Sequence, residues 1–240
     1  MKIRNRVFVK DHLEKGQALT LDQRAAHYLF HVLRCQEGEY ISIFNESSEW
    51  LSQIDKINSK DVQISIEKNI KSADKRQDIT LYFSPIKKNQ TELVIQKCTE
   101  IGVTNFQPVL MERTNFSSFN IDRLSLIAIE AIEQSEQMKI PSIYEPIKFE
   151  ELISRDQKDN ITLVCSVEGN SNSIRNVLKN HSALNYSLMV GPEGDFSESE
   201  MNNLKNKGNY FMVSLGDTVL KSETASIIAT SILKDYLLNG

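Results

Sequence analysis

Leu188-Met189-Val190-Gly191-Pro192-Glu193-Gly194-Asp195-Phe196-Ser197 is an apolar run ending in a glycine-bracketed turn. A second stretch of the same design follows: Tyr210-Phe211-Met212-Val213-Ser214-Leu215-Gly216-Asp217-Thr218-Val219-Leu220-Lys221-Ser222-Glu223-Thr224-Ala225. A strand that ends in a glycine-bearing turn presents bare backbone N–H and C=O groups at the C-terminal edge of a sheet, where α/β proteins bind their ligands. Two such turns this close in sequence are expected to form opposite walls of one pocket. The chemistry is placed there.

Outward from these loops, strand and helix alternate. The runs 79–84, 106–110, 161–167, 188–190 and 211–215 read as strands, and 161–167 is almost wholly apolar, as a strand covered on both faces should be. Between them, Asn89 with Glu92 suggests a capped helix stopped by Gly102, and 121–138 a long helix with Leu124, Ile127, Ala128, Ala131 and Ile132 on one face. Ser197-Glu198-Ser199-Glu200 is a capping box opening a helix that Gly208 closes, and Ala225, Ile228, Ala229, Ile232 and Leu233 mark a last helix. The class is α/β with a mostly parallel sheet.

The N-terminal part has another rhythm. Val7-Phe8-Val9 and the runs 40–44, 50–54 and 62–66 are short and apolar or alternating, which suggests a small barrel or curled sheet. One helix interrupts them, with Asp22 as N-cap and Ala26, Leu29, Phe30 and Leu33 as its apolar stripe. The charged tract 67–78 reads as the linker. Two domains are expected, 1–72 and 73–240.

Composition excludes more than it assigns. Hydrophobic content of 40% and charged content of 25% in 240 residues are ordinary for a soluble globular chain. No apolar stretch approaches a membrane span and the start carries no secretion signal, so the expected address is cytoplasmic. Cys35, Cys98 and Cys165 are odd in number and scattered; neither a disulfide framework nor a metal site is expected. The net charge of −4 argues against bulk coating of nucleic acid. Through Arg34, however, seven Lys or Arg face three acids, and three of the four histidines lie there. Such an end suits a localised anionic partner, and on charge alone a solvated basic face explains it equally.

None of the nine glycines forms G-x-G-x-x-G, and no G-K-[ST] exists, so Rossmann and P-loop nucleotide sites are disfavoured. A nucleotide hydrolase built on Gly191–Gly194 is the weakest reading, because no lysine follows on the helix. In that loop Pro192 removes a donor, the glycines allow close approach and positive φ, and Glu193 is held between them. For this turn alone, a plain strand-to-helix connection with an incidental acid is favoured. The second loop carries apolar Val219 and Leu220, which suit a flat ligand such as adenine, and Lys221 beside a helix start, which suits an anion. Core packing with a routine cap is the plainer account. His27 and His31 stand at metal-ligand spacing, but with no third ligand in view RNA contact or a surface pair explains them better.

Taken together, the two loops resemble those of the SPOUT class of RNA methyltransferases, and within it the family that methylates uridine N3 in 16S ribosomal RNA. The resemblance covers nearly the whole chain through five ordered motifs. These are Ile95-Gln96-Lys97 through Gly102-Val103, Glu112-Arg113, Glu133-Gln134-Ser135, Gly191-Pro192-Glu193-Gly194, and Leu215-Gly216 through Leu220-Lys221 with Glu223-Thr224. It implies a C-terminal trefoil-knot domain, knotted near 188–225, behind a PUA-like RNA-binding β-barrel. It further implies a homodimer, S-adenosylmethionine as methyl donor, and 16S RNA of the 30S subunit as partner.

By the same resemblance, Ser166, Met189, Val190, Gly191, Pro192, Glu193, Gly194, Leu215, Gly216, Val219, Leu220 and Thr224 are expected to hold the donor. Lys221, Glu193, Gln134 and Arg113 are the candidate catalytic residues, with Glu193 or Glu133 as base. Arg4, Arg6, His31, Arg34, Lys87, Lys88, Lys97, Glu133 and Ser135 are the candidate RNA contacts. The chain departs from the family at Thr218, Lys221 and Gln137, where arginines are usual, and at Asp195, where a third glycine is common. Lys221 keeps the charge and loses the bidentate fork. A related enzyme acting on another base or a ribose hydroxyl, and an RNA-binding module with a degenerate pocket, remain the alternatives.

Overall fold

The apolar runs of the first part form β1 (Arg6–Phe8), β2 (Ala18–Thr20), β3 (Tyr40–Phe44), β4 (Ser48–Ile57) and β5 (Val62–Ser72). They make a five-stranded sheet in the order β1-β3-β4-β5-β2, with β1 parallel to β3 and the other pairs antiparallel. Three register shifts between β4 and β5 bend the sheet around a core of Val7, Ile41, Ile43, Ile54, Val62 and Ile64. The expected linker is strand as far as Ser72, because β4 offers pairing partners along its length.

Asp22 caps helix α1 (Gln23–His27) by accepting from Ala25 N, as expected. From Tyr28 to Val32 the helix widens to a π turn, with Leu33 N donating to Tyr28 O. The change from i→i+4 to i→i+5 bonding shifts the side-chain phase. Ala25, Ala26 and Leu29 stay in the core, while Phe30, expected in the apolar stripe, stands 36% exposed.

The computed structural model describes residues 5–73, 77–115, 118–155, 159–167 and 172–239. It has two units: Met1–Lys75 with Ile132–Ile140, and Arg76–Ala131 with Pro141–Gly240. The return of 132–140 to the first unit is absent from a reading with one boundary near 72. Its cause is Arg6. All five guanidinium N–H groups are engaged: Nε and Nη2 on Glu49, Nη1 on the Ile132 and Glu133 carbonyls, and Nη2 also on the Gln137 carbonyl. A cation bonded to the last carbonyls of a helix is the favoured charge at that terminus. Glu136 at φ 57° then turns the chain away, so the helix ends at Gln134 and not at the expected 138.

The second unit contains β6 (Ile79–Phe83), α2 (Lys88–Ile101), β7 (Asn105–Leu110), α3 (Ile121–Gln134, shared with the first unit), β8 (Ser142–Ile143) and β9 (Ile147–Lys148). Then follow α4 (Phe149–Ser154), β10 (Asn160–Cys165), β11 (Asn172–Ser173), α5 (Ile174–Asn180), β12 (Asn185–Val190), α6 (Glu198–Lys205), β13 (Tyr210–Ser214) and α7 (Ser222–Asn239). The strand order is β11-β13-β10-β12-β6-β7-β8, with β9 also on β7, and every pairing among the described residues is parallel.

Alternation sends Leu163, Cys165, Leu188 and Val190 into one core with α2 and α7. Val164 and Met189 enter the other, with Phe149, Phe196, Met201 and Leu204. Both faces of the sheet are therefore covered, which is why these strands are apolar throughout. The Asn89 cap is not formed; Lys87 is the N-cap without a side-chain bond, and Thr91 Oγ1 closes the entry by bonding Ile86 N and O. Burial pushes the Cys98 and Cys165 thiols up to about 12, so both are small core residues, as read from sequence.

Candidate functional site

β10, β12 and β13 are neighbours, with Cys165 in register with both Val190 and Val213. Their C-terminal ends therefore release Ser166, Gly191 and Leu215 at one edge of the sheet. Ser166 N donates to Val213 O at 3.2 Å, and Ser222 Oγ, buried at the start of α7, donates to Gly191 O at 3.0 Å. The two glycine loops are thus joined directly. Ser166, Met189, Val190, Gly191 and Pro192 are buried; Glu193, Gly194, Gly216, Val219 and Lys221 are exposed; Leu215, Leu220 and Thr224 are half-buried.

Of the two purposes expected for the glycines of the first loop, close approach is met at Gly191 and positive φ is not. Gly191 and Gly194 do not adopt positive φ; the left-handed residue in that loop is Asp195, at φ 59°. Its Oδ1 accepts from Phe196 N, the local bond that lets Asp tolerate this region. Gly191 is required by close approach, since a Cβ there would stand 2.9 Å from the buried Phe196 ring. Gly216 takes φ 137°, and no heavy atom beyond its chain neighbours lies within 4 Å of where its Cβ would be, so space opens before the second loop.

The turn after β7 braces the first loop. Arg113 Nη1 donates to Gly194 O at 2.7 Å and to Phe196 O at 3.3 Å. Glu200, buried, accepts from Ser197 N in the expected capping box and, with its other oxygen, from Glu112 N at 2.8 Å. Thr114 Oγ1 ties the same turn to Ser84 Oγ and Met111 N. Ser222 and the outward bond of Glu200 escaped the sequence reading, because a serine or glutamate at a helix start reads as a routine cap.

The remaining candidates are distributed as follows. Lys87 and Lys88 are exposed at the start of α2, and Lys97 is ion-paired with Glu100 at 2.8 Å. Gln134, Ser135 and Glu133 belong to the first unit, where Gln134 Nε2 donates to Tyr28 Oη and Ser135 Oγ accepts from Gln137. Glu133 is buried, accepting Phe8 N at 2.8 Å and pairing with Arg24 at 3.0 Å. Arg6 is equally buried. As placed, all five N–H groups of Arg6 are already bonded within its unit, and Glu133 is already paired there. His31 and Arg34 are exposed, and Arg4 lies outside the described residues.

One open cleft of about 630 Å³ lies at the opposite edge of the sheet, lined by Asn160, Ile161, His181, Asn209 and Phe211 among others. It borders the strand N-termini and has no part in the site. Among the described residues, no helix is long and apolar enough to cross a membrane.

Residues 73–234 match the family model of the RNA methyltransferase domain, and 21–67 that of the RNA methyltransferase PUA domain. Ribosomal RNA small subunit methyltransferase E of Rickettsia conorii is 30% identical over 228 residues, covering 94% of this chain and 93% of that one. Among solved structures, ribosomal RNA small subunit methyltransferase E of Neisseria gonorrhoeae bound to S-adenosylmethionine superposes with a TM-score of 0.88 at 25% identity over 97% of each chain. A Legionella pneumophila protein in complex with the same cofactor gives 0.88 at 26% identity over 98% of each.

Proposed function

Since this chain belongs to the family of ribosomal RNA small subunit methyltransferase E, we propose that it methylates N3 of a uridine in 16S ribosomal RNA, using S-adenosylmethionine. The observation that carries this reading is the bond from Ser222 to Gly191, which makes one site of the two glycine loops. The residues there suit the cofactor: backbone groups at Ser166, Gly191, Leu215 and Leu220 for polar edges, apolar Val219 and Leu220 for an adenine, and open space before Gly216. When bound, the cofactor supplies an electrophilic methyl group on a sulfonium.

The chain's own residues have two tasks. The uracil must be held with N3 facing the site, which requires an unpaired or flipped-out base. The N3 proton must also leave, and Glu193, exposed at the loop tip, is the carboxylate offered to take it. Negative charge then gathers on O2 and O4 of the base, where Lys221 and the outer N–H groups of Arg113 are the cations proposed to stabilise it. Gln134, Ser135, His31 and Arg34 of the first unit, and Lys87 and Lys88 of the second, are proposed to contact the RNA. The working form is proposed to be a cytoplasmic homodimer, for which Val219 at 83% exposure and Leu238 at 69% offer apolar surface.

Transfer of labelled methyl groups to naked small-subunit RNA and to assembled 30S particles, followed by mapping of the modified nucleotide, tests the proposal. A product at uridine N3 is expected. A product at another base or a ribose hydroxyl replaces the substrate assignment, and no product together with no cofactor binding overturns the enzyme. Lys221→Ala is expected to lower turnover at least a hundredfold, the scale of one lost stabiliser of developing charge.

A further inference from the structure

The π turn of the first unit brings three rings together on its surface. The ring centroids of His27 and His31 are 4.8 Å apart at 37°, and Phe30 meets His31 edge-on at 4.9 Å and 84°. All three residues are exposed, as is Val32 beside them at 58%. Neither imidazole has a hydrogen-bond partner among the described residues. Three residues beyond His31, Arg34 holds the left-handed φ of 55°, which its side chain does not favour. Its guanidinium has no ion pair or hydrogen bond among the described residues, whereas Arg6 and Arg24 of the same unit are committed to Glu49 and Glu133. Strained backbone and π turns collect where a surface is used.

We propose that His27, Phe30 and His31 form a stacking platform for one unpaired nucleobase, with Arg34 taking the adjoining phosphate. Aromatic faces accept any base, and a cation beside them matches the backbone charge that accompanies it. A protein partner fits worse, since three rings fall well short of the roughly 800 Å² that each side of a standard interface buries. The site deepens the RNA-directed reading above, on which it rests. It adds Phe30 as a contact and assigns the mode of binding.

The test is fluorescence anisotropy with a labelled ten-nucleotide uridine RNA, on the full chain, across a salt series. Phe30→Ala is expected to weaken binding about tenfold and leave the salt slope unchanged, because a stacking contact carries no phosphate charge. Phe30→Trp should bind at least as well as the parent. Arg34→Ala should weaken binding and reduce the slope by about one phosphate contact. Unchanged thermal midpoints and unchanged S-adenosylmethionine affinity in each variant confirm an intact fold. Equal affinity in Phe30→Ala and the parent overturns the platform, as does a parent that does not bind the oligonucleotide. Methyl transfer is measured separately: its absence with oligonucleotide binding retained removes the enzyme reading and leaves the platform.

Discussion

Ser222 and Gly191, thirty-one residues apart in sequence, are joined by a buried hydrogen bond of 3.0 Å in which the serine hydroxyl donates to the glycine carbonyl. The hydroxyl is spent on the other loop, so the start of α7 is fastened to the end of β12. Ser226 and Thr230 continue inward along α7, each donating to the carbonyl one turn earlier. Removing the hydroxyl leaves a buried carbonyl unpaired at a cost of about 1–3 kcal/mol. Ser222→Ala is therefore expected to weaken S-adenosylmethionine binding about tenfold by calorimetry, with the fold retained by circular dichroism. Undiminished affinity would show that the fastening does not shape the cofactor site.

Asp195 stands in the left-handed region, at φ 59°. Glycine adopts that conformation without the Cβ penalty, so Asp195→Gly should keep the loop and hold the thermal midpoint within a degree or two. Asp195→Ala loses the bond to Phe196 N and keeps the penalty, for a loss of about 1–2 kcal/mol. The pair of variants in one denaturant titration checks both signs.

Arg113 supports the first loop through Gly194 O and Phe196 O. Arg113→Ala removes both bonds, and kcat/KM is expected to fall about a hundredfold, consistent with the loss of roughly 3 kcal/mol for a charged hydrogen-bond donor. Arg113→Lys keeps the charge but not the fork, so it should restore part of the activity and no more. Steady-state kinetics on small-subunit RNA would separate the two, and equal losses would mean that charge plays no part.

Glu49 gives the first unit an acid limit. Burial alone would raise its carboxyl, but hydrogen bonds from Arg6 and Ser42, with the charges of Arg6 and Lys71, outweigh that and hold it below the usual carboxylate range. A depressed folded value means that the stabilisation is whole above the unfolded pKa of about 4.3 and disappears as pH falls through the folded one. Urea melts from pH 7 to pH 3 should show this loss. In Glu49→Gln the slope should flatten, with neutral-pH stability lower by about 3–5 kcal/mol because Arg6 is left buried without its partner.

Val164, Met189 and their neighbours announced a strand covered on both faces, and Ser197 with Glu200 announced a helix start, because such signals are local: side-chain alternation and a bond across three residues. The loops 191–197 and 215–221 were legible as a candidate site for the same reason, since a glycine turn after a strand is written in adjacent residues. What sequence could not determine lies in long-range partners. The phase shift that exposes Phe30, the engagement of Arg6 by carbonyls at 132, 133 and 137, and the contact of Phe196 with Gly191 each depend on groups brought close only by the folded chain. A basic or acidic residue near the N-terminus looks the same in sequence whether it faces RNA or a helix end. Burial decides between the two, and burial belongs to the tertiary structure.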